Sequence, residues 1–239
     1  MAENHSTTPG APRLITAENG QSPETGTWVA NYSDTLSCDL AQPREARKGT
    51  WGGARNRADR VGEYLSDAQV KRLLDAAEVA FSTDRVFQRH WTVHYGLAGI
   101  EPSDGARFIG KLIDLVKKQA RREGGEASAI WVRERASGKG EHVHILLHLP
   151  SEMSLRNRTR RWIVTAGGTY RAGVSKVTLI GGRTAKKLRG ARAHANAENV
   201  LRYILKAGKQ AAGEQLGLSR SGEGGVIVGK RCGATLNLR

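Results

Sequence analysis

Three of the chain's seven histidines fall within residues 138–150, GKGEHVHILLHLP, a run that otherwise has the apolar content of a buried strand. Side chains alternate faces along a strand, so His142 and His144 would share one face, with Val143 and Ile145 on the other. Imidazoles two residues apart lie about 6–7 Å apart at the backbone, near enough to bind one metal ion. His142 and His144 are therefore candidate metal ligands, although two surface or hydrogen-bonded histidines would give the same pattern.

An acidic residue precedes this histidine pair in a predicted hairpin. Glu134 lies eight residues before His142, across a glycine-containing turn, where its carboxylate can meet the two imidazoles. A site of two histidines and one carboxylate leaves positions open for water or a phosphate oxygen, as metal-dependent phosphoryl transfer requires. His148, on the same predicted face, is either an alternative ligand to Glu134 or a residue that supports the site, and Glu134 is the favoured ligand.

The last predicted helix contains the segment YILK, in which Tyr203 and Lys206 are three residues apart and share a helix face. Tyr203 is a candidate nucleophile for phosphorus, and Lys206 would place a cation beside the charge that develops on the phosphate. Asn199, about one turn earlier, lies on the same face and is a candidate supporting residue. The alternative is that Tyr203 is an amphipathic core residue, as isolated helical tyrosines commonly are.

Glu134, the His-hydrophobe-His segment and the later Tyr-x-x-Lys helix together resemble the motifs of the HUH endonucleases, in particular rolling-circle replication initiators. The resemblance covers residues 87–210, with HWTVHY at 90–95 a loose match to the family's first motif. Some members carry two catalytic tyrosines, whereas this helix has one. The tyrosine follows the histidines, an order that favours initiators or single-strand transposases over relaxases.

The resemblance implies a site-specific nuclease for single-stranded or hairpin DNA. It implies Mg²⁺ or Mn²⁺ held by Glu134, His142 and His144, with Tyr203 and Lys206 as the catalytic residues. Tyr203 would attack the phosphate and leave a 5′-phosphotyrosyl link and a free 3′-hydroxyl. That hydroxyl would prime rolling-circle replication of a plasmid, a phage or another mobile element.

The elements that would position these residues follow from periodicity and turn signals. The patterns predict helices over 65–82, 102–125, 152–166 and 196–210, and strands over 87–96, 129–135, 141–149 and 175–181. From the first strand onward the order is β-α-β-β-α-β, followed by a helix. This order predicts an α+β fold with a ferredoxin-like (RRM-like) antiparallel sheet, helices on one face, and a C-terminal catalytic helix that carries Tyr203.

The formal net charge of +15 is concentrated in one part of the chain, since residues 154–209 hold fourteen Lys/Arg against one acidic residue, Glu198. A local basic excess is typical of a polyanion binder. Nucleic acid is favoured over an acidic membrane surface because no amphipathic helix with an aromatic face accompanies the charge. The predicted DNA-binding residues are Arg156, Arg158, Arg160, Arg161, Lys186, Lys187, Arg189 and Arg192.

Composition places the expected nicking domain at residues 61–211. Residues 1–60 predict a disordered tail, and residues 212–239 a glycine-rich tail. The segment GGVIVGKR in the second tail lacks the Ser or Thr and the following helix of a nucleotide-binding loop, so strand separation would need a host helicase, and extension a host polymerase. No apolar run approaches the roughly 20 residues of a membrane span, and the two cysteines are far apart, so a cytoplasmic protein is expected.

Two other functions are compatible with parts of the pattern. Metal-free RNA phosphoesterases use two His-x-Thr/Ser motifs, and HWT at 90–92 fits one of them, but HVH breaks the second. A non-catalytic nucleic-acid-binding module on the same sheet would normally expose aromatic residues where this chain places histidines. Metal dependence and a covalent DNA adduct separate the three functions.

Overall fold

The computed structural model describes residues 59–181, 190–209 and 224–239, so nearly all of the predicted N-terminal tail lies outside the described residues. The helices are α1 (Asp67–Ser82), α2 (Tyr95–Ala98), α3 (Gly105–Arg122), α4 (Arg158–Ala166) and α5 (Ala191–Leu205), with a short 3₁₀ helix at Leu236–Leu238. The strands are β1 (Val61–Gly62), β2 (Arg89–His94), β3 (Ser128–Ala136), β4 (Gly140–His148), β5 (Ser175–Leu179), β6 (Ile227–Val228) and β7 (Cys232–Ala234).

Five of these strands form one antiparallel sheet in the order β5-β2-β4-β3-β7, while β1 and β6 pair with each other. Strands β3 and β4 form the predicted hairpin, joined by a turn at residues 137–139. The expected α+β class and antiparallel sheet are confirmed. Within the described residues no helix has the length and apolar content needed to cross a lipid bilayer.

Helices cover both faces of the sheet, whereas the order of elements suggested one face. On the first face, Trp91 and Val143 of the sheet pack with Phe108 of α3 and Trp162 of α4. On the second face, the sheet packs against α1 and α5. The physical reason lies in β3 and β4, where seven consecutive residues of each strand are buried, because a strand buried on both sides needs a layer on each side.

The helices of the second face have clear local determinants. Helix α1 begins after Ser66, whose hydroxyl accepts a hydrogen bond from the Gln69 backbone N–H while the Gln69 side chain accepts one from the Ser66 N–H. This reciprocal pair is a capping box. Helix α5 buries Leu201 and Ile204 in the core, which leaves Tyr203 at the edge of the packed stripe.

The glycine-rich C-terminal stretch is not a tail over the residues that are described. Strand β7 extends the sheet at β3, and Cys232 is buried. The buried Arg231 guanidinium donates hydrogen bonds to the carbonyl oxygens of Gly62, Gly224 and Gly225. These contacts connect the C-terminal stretch to the start of the domain, so residues 224–239 belong to the fold.

Glycine in this stretch permits close packing. Gly225 has φ +64°, and a side chain there would collide with the backbone oxygen of Arg135. The neighbouring Arg133 is fully buried, and it donates to the carbonyl oxygens of Val228 and Lys230. A composition that suggested a glycine-rich tail therefore belongs, over the described residues, to a segment that packs tightly on β3.

Candidate metal centre and active-site pocket

The strand register brings the three predicted metal ligands together on one face of the sheet. Glu134 of β3 is directly opposite His142 of β4, and His144 follows two residues later on the same face. The Nε2 atoms of His142 and His144 lie 2.9 and 3.1 Å from Glu134 Oε1. One ligand atom from each of the three residues lies within 4.8 Å of the others, and all three residues are buried. The group is therefore a preformed candidate metal site.

The hydrogen-bond partners of His142 fit a cation at this position. Its Nδ1 lies 3.1 Å from the Gly140 carbonyl oxygen, and its Nε2 faces the Glu134 carboxylate. The Gly140 carbonyl oxygen and the Glu134 carboxylate both accept hydrogen bonds. With a cation between Nε2 and Glu134, Nδ1–H would donate to the carbonyl, as metal-bound histidines usually do.

The ligand spacing can be compared with that around an octahedral divalent ion such as Mg²⁺. Two ligand atoms about 2.1 Å from such an ion lie about 3.0 Å apart across a right angle. The contacts of 2.9 and 3.1 Å to Glu134 Oε1 are close to this length. Glu134, His142 and His144 could therefore hold a metal ion.

Strand β2 holds His144 from the other side. Its Nδ1 lies 3.0 Å from His90 Nε2 and 3.1 Å from Thr92 Oγ1, and Thr92 is directly opposite His144 in the strand register. These contacts orient the His144 ring so that Nε2 points at Glu134. Such partners on the second nitrogen are a regular feature of histidine ligands.

Burial and charge act in opposite directions on the ionisable groups. Burial alone would raise the pKa of Glu134, but hydrogen bonds from His142 and His144 and the charge of Lys206 hold it well below its usual value. Burial lowers the pKa of His144 in spite of the facing carboxylate. Burial, helped by neighbouring positive groups, also lowers the pKa of His90 to about 4. At neutral pH the carboxylate is ionised and His144 is neutral, which are the forms that bind metal ions.

Helix α5 brings Tyr203 and Lys206 to the same group. The Lys206 ammonium lies 3.1 Å from Glu134 Oε1 and 4.1 Å from the centre of the Tyr203 ring. Burial alone would lower the pKa of Lys206, but the Glu134 carboxylate raises it, so Lys206 is charged. The centres of the Tyr203 and His144 rings are 5.4 Å apart, and Tyr203 is 44 % exposed. Tyr203 therefore lines the site and is not a core residue.

An open pocket of about 450 Å³ lies over these groups. His142, His144, Tyr203 and the predicted supporting residue Asn199 line it. Seven further lining residues were not among the predicted site residues: His90, Thr92, His94, Lys139, Lys176, Thr178 and Val200. The sequence held part of the signal, because His90, Thr92 and His94 alternate with apolar residues along HWTVH as His142 and His144 do along HVH. Which strands flank β4, however, depends on the topology of the sheet.

The predicted supporting residue His148 lies elsewhere. It shares the histidine face of β4, but four residues along a strand place it roughly 13 Å from His144. Its Nδ1 lies 3.0 Å from the Val86 carbonyl oxygen and 3.3 Å from Gln88 Nε2. The structure therefore does not bring His148 to the pocket, and it contacts the loop that leads into β2 instead.

The predicted DNA-binding residues are spread over different parts of the molecule. Four of them are in or just before α4: Arg156, Arg158, Arg160 and Arg161. Helix α4 packs through Trp162 on the face of the sheet that points away from the histidines, and one of its arginines, Arg158, pairs with Glu123. Arg192 is exposed in the first turn of α5. The remaining three lie outside the described residues: Lys186, Lys187 and Arg189.

Comparisons of the chain with protein-family models, with curated proteins and with solved structures find no match. The chemistry of the site therefore has to be inferred from its own residues. The site combines a buried group that could hold a metal ion, a partly exposed phenol and Lys206, which contacts Glu134 and the Tyr203 ring. This combination favours a metal-assisted reaction at an anionic substrate.

Proposed function

We propose that this chain is a metal-dependent endonuclease that nicks single-stranded or hairpin DNA through a covalent tyrosine intermediate, as its resemblance to the HUH endonucleases implies. The observation that carries the proposal is the position of Tyr203. Its partly exposed phenol shares a pocket with His142 and His144, and Lys206 lies between the phenol and Glu134. A buried ligand group with no nucleophile beside it would instead favour a structural metal site.

The topology supports this assignment. With β2, β3, β4 and β5 as the four strands of a β-α-β-β-α-β unit, the order β5-β2-β4-β3 reads fourth, first, third, second, as in a ferredoxin-like sheet. Helices α3 and α4 are then the two helices of that unit, and both pack on the first face. Helix α5 follows the unit and packs on the second face, where the candidate ligands lie.

Tyr203 is the nucleophile of the proposed reaction. Its phenolic oxygen bonds to phosphorus, the bond from phosphorus to the 3′ oxygen breaks, the phenolic proton passes to solvent and the 3′ oxygen gains a proton. Lys206 places positive charge beside the phenolic oxygen and the phosphate, where negative charge develops. A divalent ion, when bound, would polarise the phosphate. Because the phosphotyrosyl link retains the energy of the diester, a 3′-hydroxyl can attack it and rejoin the strand without ATP.

The proposed role is initiation of rolling-circle replication for a plasmid, a phage or another mobile element. A host helicase would separate the strands, and a host polymerase would extend the 3′-hydroxyl. The formal charge of +15 supports a polyanionic substrate.

The two other candidate functions have less support. A metal-free two-histidine phosphoesterase needs Thr or Ser two residues after each histidine, but His144 occupies that position after His142 and faces the Glu134 carboxylate. A non-catalytic binding module does not account for a group of three candidate metal ligands beside a partly exposed phenol.

The proposal is tested by incubating the protein with a randomised pool of end-labelled single-stranded hairpin DNA, in Mn²⁺ and in excess chelator. We expect nicks only with the metal, with 3′ ends that a polymerase extends and 5′ ends that remain attached to protein. His144→Ala should abolish nicking with its circular dichroism unchanged, while His148→Ala on the same strand serves as the control. Full activity in chelator would favour the phosphoesterase, and binding without nicking in Mg²⁺ or Mn²⁺ would favour the binding module.

A further inference from the structure

One side of the pocket has no part in the proposed chemistry. Lys176 and Thr178 of β5 line it, as does Lys139 of the β3–β4 turn. Lys176 is directly opposite Thr92, and Thr92 is directly opposite His144. Lys176, Thr92 and His144 therefore form one row across the sheet, on the face that holds the candidate metal ligands.

The charge on this side of the pocket is positive. Among the described residues, no carboxylate lies within ion-pair distance of Lys139 or Lys176. The Glu134 carboxylate of the candidate metal site is already in contact with Lys206. Both lysines of the pocket wall are exposed, so they offer two ammonium groups to an anion that enters the pocket.

The spacing of the strands gives the distance from these lysines to the reaction centre. Neighbouring strands are about 4.8 Å apart, so the backbone of Lys176 lies about 10 Å from that of His144. A lysine carries its charge on a flexible four-carbon stem, which can lean over the pocket. Lys176 would then bind a different phosphate from the one that faces Tyr203, and the two phosphates would be close together.

We propose that this side of the pocket is a subsite for the phosphates that flank the cleaved linkage of a single-stranded nucleic acid: Lys176 and the Thr178 hydroxyl hold one phosphate, and Lys139 holds another. The subsite rests on the proposed function for the identity of its ligand, but it does not require the cleavage chemistry. A nucleic-acid strand fits better than an acidic peptide because Tyr203 and His94 offer aromatic surface in the same pocket, on which bases can stack.

The test measures DNA binding in the Tyr203→Phe protein, so that cleavage cannot alter the probe. The probe is a fluorescent oligothymidine of about 12 nucleotides, within the usual range of single-strand site sizes, and its Kd is followed by anisotropy over a series of salt concentrations. Lys176→Met and Lys139→Met should each weaken binding roughly 3- to 5-fold at low salt and lower the salt slope by about 0.7. Lys118→Met, at an exposed position of α3 on the other side of the sheet, is the matched control and should change neither.

An unchanged Kd and salt slope in the Lys176→Met/Lys139→Met double variant would overturn the subsite. An equal effect of Lys118→Met would also overturn it, since only the total charge would then matter. Failure of the nuclease is a separate outcome: a wild type that never nicks but whose binding depends on Lys176 supports the subsite alone. Nicking by the wild type with an unaltered salt slope in the double variant rejects the subsite and keeps the nuclease.

Discussion

Lys206 and a divalent ion would compete for the same carboxylate oxygen, so replacing Lys206 with methionine should strengthen metal binding. The Lys206 ammonium lies 3.1 Å from Glu134 Oε1, which is the oxygen closest to both histidine ligands. A lysine charge and a divalent ion about 4 Å apart repel each other by about 2 kcal/mol even at the dielectric constant of water. Lys206 is 25 % exposed and can relieve part of this repulsion by turning toward solvent. We therefore expect the affinity for the ion to rise roughly tenfold, which corresponds to about 1.4 kcal/mol.

The assay is calorimetric titration of Mn²⁺ into protein that has been stripped with chelator and dialysed. Lys206→Arg keeps the charge and is the matched control, with an affinity expected near that of the wild type. In nicking assays Lys206→Met should be slower than the wild type, because the cation beside Tyr203 is lost. An affinity that stays the same or falls in Lys206→Met would refute the idea that the ion and the lysine share Glu134.

Three further predictions concern the ligands and the fold. In the same titration His142→Ala should lower Mn²⁺ affinity by at least about tenfold, whereas His148→Ala, at the far end of the strand, should not; equal losses would place the ion elsewhere. In chelator, Glu134→Gln should lower the free energy of unfolding by about 2 kcal/mol at neutral pH, measured by urea titration, because charge-assisted contacts are lost. The folded pKa of Glu134 lies below the unfolded value near 4.5. The stability difference between the wild type and Glu134→Gln should therefore be fully present above pH 4.5 and shrink as the pH falls below it. A difference that does not change with pH would contradict the lowered pKa of Glu134. Arg133→Met leaves the carboxylate of Glu141 buried without its ion-pair partner and removes the hydrogen bonds to Val228 and Lys230. The free energy of unfolding, measured by urea titration, should fall by about 3 kcal/mol. A fall below about 1 kcal/mol would show that other contacts hold the C-terminal segment.

The candidate metal site was predictable because its information is local. A hairpin with a turn at 137–139 places Glu134 opposite His142 once the strands pair in register, and alternation then places His144 on the same face. The three-residue spacing of Tyr203 and Lys206 fixes their common helix face in the same way. Each of these steps needs only the geometry of one hairpin or one helix.

The features that sequence analysis missed depend on contacts between distant segments. His90 and Thr92 reach His144 only because β2 lies beside β4, and the periodicity of β2 does not identify its neighbour. The charge of α4 was visible in the sequence, but the layer on which the helix packs was not. Strand β7 is only three residues long and rich in glycine, so its pairing with β3 gave no local signal.

The central claim is that Tyr203 forms a covalent bond to DNA, and peptide mapping of a protein–DNA adduct tests it most directly. The wild type, Tyr203→Phe and Tyr170→Phe proteins are each incubated with single-stranded hairpin DNA and Mn²⁺, denatured, digested with protease and nuclease, and analysed by mass spectrometry. Tyr170 is also partly exposed, so its variant controls for the loss of a phenol from the surface. We expect a nucleotide-modified peptide that contains Tyr203 in the wild type and in Tyr170→Phe, and none in Tyr203→Phe, which should still fold and bind DNA. An adduct that survives Tyr203→Phe, or one that maps to Tyr170, would contradict the claim.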